Sequence, residues 1–141
     1  MSMKVRNYYY FIAGVLAMLF AVTHAWNGHS AVLSTPDIKA TSIDIQTVFT
    51  YVWHIITIEN LVFGIAFMIM SFHTDRSKAE FAAWLITVIL IVRLVVIVGV
   101  TAFLDVSALS DTLIDSIAIV IYVALIMLGI FRRKGTQLTI A

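Results

Sequence analysis

The sequence predicts an all-α integral membrane protein, a four-helix bundle running up-down-up-down through the bilayer. Three observations carry that expectation: an apolar composition, four long apolar stretches, and basic residues confined to alternate connections. Of 141 residues, 62% are hydrophobic and 12% charged, against roughly 45–50% and about 25% in soluble domains. The mean hydropathy is +1.03. This excludes an ordinary soluble fold, and also a disordered chain, which needs low hydrophobicity and high net charge. A formal charge of +1 gives no electrostatic case for nucleic acid. With no cysteine, disulfides, thiolate metal sites, iron–sulfur clusters and cysteine nucleophiles drop out.

A bilayer core of about 30 Å requires roughly 20 apolar residues in a helix. Four stretches meet that requirement, at about 8–26, 47–72, 79–104 and 112–131. They occupy most of a single membrane domain spanning 1–141, and the short connections favour neighbours that run antiparallel. The triplet Thr23-His24-Ala25 loosely mimics a signal-peptide cleavage site, but the apolar stretch before it is long for a signal sequence, so span 1 is expected to remain.

Positively charged flanks tend to stay in the cytoplasm. Lys4 and Arg6 precede span 1, Arg76 and Lys78 separate spans 2 and 3, and Arg132, Arg133 and Lys134 follow span 4; the other two loops hold only Lys39. Both termini are therefore expected inside, in a multi-pass protein of the inner (plasma) membrane. Asp37, Asp44, Asp105 and Asp111 gather on the opposite side. Tyr8, Tyr9, Tyr10 and Trp26 fit interfacial aromatic belts, and Trp53 and Trp84 lie near other span ends.

Helices in membranes pack through small residues, with polar side chains as added contacts. In span 1, Gly14, Ala17, Ala21, His24 and Gly28 recur at spacings of three and four and share one face. In span 2 the expected seam is Thr47, Thr50, His54, Thr57, Gly64 and Ser71. In span 4 it is Asp111, Asp115, Ala118, Tyr122 and Gly129. For the threonines and glycines, packing and hydroxyl bonds to the preceding turn are sufficient explanation. Tyr122 and Asn60 are expected to bond between helices.

Glu59 and Arg93 lie near the middle of their spans. A charge at a helix centre costs about 2.5–3.5 kcal/mol on an insertion scale, so such residues turn inward and find partners. Counted at about 1.5 Å per residue, both fall roughly 16–18 Å below the outer ends, which suggests an ion pair. The pair can serve to fix helix register or to hold a proton or solute. By the same count His24, Asp115 and His54 lie about 3, 5 and 10 Å deep. An outward-facing polar pocket built from His24, His54, Asp115, Tyr122, Glu59 and Arg93 is the resulting expectation.

Imidazole titrates near physiological pH and is the commonest metal ligand. His24 and His54 therefore leave three readings open: hydrogen bonding within the core, proton or anion binding, and ligation of haem or a metal. His24 and His29 are five positions apart and do not share a helical face. No His-Glu-x-x-His motif, no Glu-x-x-His pair, no nucleophile elbow and no phosphate-binding glycine loop occurs. A covalent enzyme is thus not expected.

The run His24-Ala25-Trp26-Asn27-Gly28-His29, with Trp53-His54-Ile55-Ile56-Thr57 further on, resembles a group of small uncharacterised bacterial inner-membrane proteins. They pair His-x-x-x-Gly at the end of the first helix with Trp-His-x-x-Thr in the second. The resemblance covers 8–72 and implies His24, Gly28, His54 and Thr57 as key positions. This chain departs from the group at His29, where an acidic residue is usual. A more scattered likeness, through Glu59, Val92-Arg93-Leu94 and Asp115, is similar to the phosphate-starvation-inducible PsiE membrane proteins. Neither group implies a biochemical activity.

The function expected is a membrane-embedded protein that binds or carries a small solute or proton, using His24, His54, Thr57, Glu59, Asn60, Arg93, Asp115 and Tyr122. Two other readings stay open: a haem or metal protein using His24 and His54, and an accessory or scaffold subunit. The partners expected are the lipid bilayer and either further copies of the chain or a larger membrane complex.

Overall fold

The computed structural model describes residues 4–132; Arg133 and Lys134, used above for orientation, lie outside them. The fold class is all-α, with no strand among the described residues. Helix α1 spans Tyr8–Asn27, α2 Pro36–Lys39, α3 Ile43–Phe72, α4 Arg76–Leu104 and α5 Leu113–Phe131. Four stretches, Tyr8–Val32, Ile43–Phe72, Arg76–Leu104 and Leu113–Phe131, are long and apolar enough to cross a membrane. The chain is on that basis a multi-pass membrane protein. It divides into two compact units, Met1–His73 and Thr74–Ala141.

Helices α1, α3 and α4 begin where polar side chains satisfy free amides of the first turn. Asn7 accepts from the backbone amides of Tyr9 at 3.1 Å and Tyr10 at 3.3 Å. Ser42 accepts from the Ile45 amide and Asp75 from the Lys78 amide. Hence α3 starts at Ile43 and α4 at Arg76, earlier than the apolar stretches beginning at 47 and 79. A hydrogen-bond ladder can start in polar sequence, whereas hydropathy sees only the part that suits lipid. Helix α1 runs on into a π-helical turn over Gly28–Val32, closed by the Leu33 amide on the Gly28 carbonyl at 2.8 Å. Pro36 then opens the single turn of α2, where its missing N–H costs nothing.

In the first unit α1 and α3 pair antiparallel. At one end the amides of Arg6 and Asn7 both donate to the Ser71 carbonyl, at 2.8 and 3.1 Å. Tyr10, Ala13, Ala17 and Ala21 are buried with Phe63, Phe67, Met70 and Ser71. Midway, the backbones meet at two glycines. A Cβ on Gly14 would lie 2.9 Å from the Met68 nitrogen and 3.0 Å from the Gly64 carbonyl oxygen. A Cβ on Gly64 would lie 3.0 Å from the Met18 nitrogen and 3.1 Å from the Gly14 oxygen. The small-residue stripe predicted for span 1 is the face that packs.

In the second unit α4 and α5 also run antiparallel. Arg76 donates through Nη2 to the Ile130 carbonyl at 3.1 Å and forms an ion pair with Glu80. Trp84 and Phe131 meet edge to face at 6.2 Å. Ala79, Ala83, Ile86, Thr87 and Leu90 are buried on α4, and Tyr122, Ile126, Gly129 and Ile130 on α5. The Thr87 hydroxyl donates to the Ala83 carbonyl at 2.8 Å, which satisfies a buried polar group without a partner helix.

Candidate functional site

The best-defined polar constellation lies where α1 runs into its π turn, at the opposite end of the α1–α3 pair from Ser71. The His24 Nδ1 atom is 2.9 Å from the Thr57 hydroxyl. Thr57 donates in turn to the Trp53 carbonyl at 3.2 Å, and the Trp53 indole N–H donates to the His24 carbonyl at 2.8 Å. Imidazole and indole stack at 4.3 Å with 17° between their planes. The ring of His24 is therefore held from its edge by a hydroxyl and from its face by an aromatic surface. Such a face attracts cations, and such an edge contact orients the imidazole.

Gly28 makes the arrangement possible. It is buried, and a Cβ there would overlap the Trp53 indole. Glycine one turn after His24, on the same face, opens the slot into which Trp53 inserts. The sequence placed Trp53 in an interfacial belt, yet the indole is a packing and hydrogen-bonding group between helices. Its spacing of four from Thr57 was the available signal. Tyr10 likewise turns inward, at 2% exposure, and meets Phe67 at 5.6 Å between ring centroids. Trp26 and Tyr8 remain exposed.

Of the seam expected on span 2, only the second half packs on α1. Thr57, Gly64 and Ser71 face α1, but Thr47, Thr50 and His54 are exposed. The hydroxyls of Thr47 and Thr50 return to the carbonyls of Ile43 and Gln46, each at 2.8 Å. Thr47, Thr50, His54 and Glu59 border an open hollow along another face of α3, with Gln46 and Tyr51. Adjacent residues differ by about 100° around a helix, so turning Trp53 toward α1 turns His54 aside. His24 thus meets Thr57 and Trp53 by these contacts, while His54 lies along the hollow.

Glu59 and Asn60 are half-buried on α3 and Arg93 half-buried on α4. Tyr122 is buried on α5, whereas Asp115, in its first turn, is exposed. Among the described residues no group of three or more His, Asp or Glu side chains could hold a metal ion. Compared with protein-family models, curated proteins and solved structures, the chain matches none.

Proposed function

We propose that this is an inner-membrane protein with both termini in the cytoplasm that binds or carries a small solute or proton through its intramembrane polar residues. The observation that carries the reading is the His24–Thr57–Trp53 cluster. A titratable ring occupies a helix–helix contact of a membrane span, where apolar packing would have served stability alone. Glu59 and Arg93 support it as ionisable groups in mid-span, and Arg93 supplies the charge that an anionic solute requires. The likeness to small bacterial inner-membrane proteins is part of the same proposal: of its Trp-His-x-x-Thr run, Trp53 and Thr57 are in contact with His24.

Reconstitution into liposomes tests it. With a pH-sensitive dye inside, the protein is expected to speed the decay of an imposed pH gradient, and His24→Ala and Arg93→Ala to slow it. Native mass spectrometry of gently purified protein covers the solute branch, where a bound small molecule is expected. A protein that neither moves protons nor retains a small molecule would overturn the reading.

A further inference from the structure

The hydrogen bonds around His24 determine more than its position. A threonine hydroxyl has one proton and two acceptor sites. Thr57 directs that proton to the Trp53 carbonyl, 3.2 Å away and one turn back along its own helix. The contact of 2.9 Å between Thr57 Oγ1 and His24 Nδ1 then needs its proton from the ring. We infer that neutral His24 carries its proton on Nδ1, so that a second proton must enter at Nε2. Proton binding at Nε2 uses the nitrogen lone pair and yields an imidazolium with both nitrogens protonated. The proton leaves by the same nitrogen.

Through Thr57 the network carries no proton onward. A proton passed from Nδ1 to Thr57 would have to continue to the Trp53 carbonyl, which is an amide oxygen and a poor base. The route through Nδ1 and Thr57 is thereby closed and exchange runs through Nε2, which suits a group that is loaded and unloaded or one that senses pH. The stacked indole face, at 4.3 Å, accommodates the cation that loading creates. The elements packed against His24 bring other titratable groups: His29 on the π turn, and Asp44, Tyr51, His54 and Glu59 on α3. The inference deepens the proton branch of the proposed function. Its test reads the ring itself, so a failure of transport leaves it standing and its own failure leaves solute binding standing.

The test is nitrogen NMR of histidine-labelled protein in lipid nanodiscs, in a His29→Asn/His54→Asn background, with His24 assigned by His24→Asn. At high pH the neutral ring is expected to carry its proton on Nδ1, in wild type and in Thr57→Ser. Thr57→Val removes the acceptor and is expected to move the proton to Nε2, the form usual in free histidine. A wild-type ring with its proton on Nε2 would mean that Thr57 donates to His24, and would overturn the inference. So would an unchanged tautomer in folded Thr57→Val. A second readout does not depend on that variant folding. With Trp26→Phe and Trp84→Phe leaving Trp53 as the sole indole, its emission is expected to step once between about pH 4 and 9 as the stacked ring becomes charged. Loss of the step in His24→Asn supports the site; a flat curve, or a step that survives His24→Asn, overturns it.

Discussion

Gly14 and Gly64 exclude each other's side chains: a Cβ on either would approach the backbone oxygen of the other to within 3.0 or 3.1 Å. This mutual contact sets how closely α1 and α3 approach, and with it the depth to which Trp53 reaches over Gly28. The nearest atoms to each imagined Cβ include a backbone nitrogen, which cannot swing aside as a methionine side chain can.

Gly14→Ala and Gly64→Ala are each expected to destabilise the α1–α3 pair. Overpacking costs about 1–3 kcal/mol, against a gain in helix propensity of roughly 1 kcal/mol. Gly99 is the control: nothing lies within 4 Å of a Cβ placed there, so Gly99→Ala should be neutral or slightly stabilising. Thermal unfolding in one detergent ranks the three. Equal effects at all three positions would remove the close crossing.

Gly28→Ala should expel the Trp53 indole and break its bond to the His24 carbonyl. Trp53→Phe keeps an aromatic surface and loses only the donor, a change of about 0.5–1.5 kcal/mol. Gly28→Ala is therefore expected to be the more damaging of the two. In the single-indole background, a blue-shifted Trp53 spectrum in the parent should move to the red in Gly28→Ala. An unmoved spectrum would mean that the slot can open without cost.

His54→Ala is expected to leave the Trp53 spectrum and the pH step of its emission unchanged, because His54 lies on the face of α3 that borders the hollow. Thr57→Val, by contrast, should alter the step. A double-mutant cycle between His24→Ala and Thr57→Val should give a coupling of about 1 kcal/mol, and one between His24→Ala and His54→Ala close to none. Strong His24–His54 coupling would favour the bis-histidine reading, and absorption spectra with a Soret band would add to it.

Two helix-end carboxylates respond to pH with a defined sign. The Lys78 amide holds the Asp75 carboxyl below its ordinary value of 3.8. The Ser107 hydroxyl, and then its amide, do the same for Asp105. A carboxyl lowered by folding stabilises above its unfolded pKa, near 3.8, and loses that contribution as pH falls through the lower folded value. Carbon NMR of the labelled carboxyls should give midpoints below 3.8 for both. In Ser107→Ala the Asp105 midpoint should return upward. A midpoint at or above 3.8 in the parent would show that these contacts do not form in the membrane.

The initial portions of α3 and α4 show why hydropathy misses helix starts. Ser42 and Asp75 are polar caps, followed by first turns that carry Asp44 and Gln46 in α3 and Arg76 and Lys78 in α4, so these helices begin before lipid-like sequence does. The stripe Gly14, Ala17, Ala21, His24, Gly28 was legible because small residues at that spacing have one packing use in a membrane. In span 2, Trp53 and His54 are neighbours that each continue a plausible seam through Thr57.

The sequence by itself determined the four apolar spans, the packing face of α1, and the placing of His24 and Thr57 among the polar residues of the membrane spans. Only the tertiary structure decided that Trp53 rather than His54 completes the contact around His24. The physical reason is rotational. Residues one apart point about 100° apart, and which of them faces α1 depends on how the two helices meet along the close backbone approach of Gly14 and Gly64 and the slot left by Gly28.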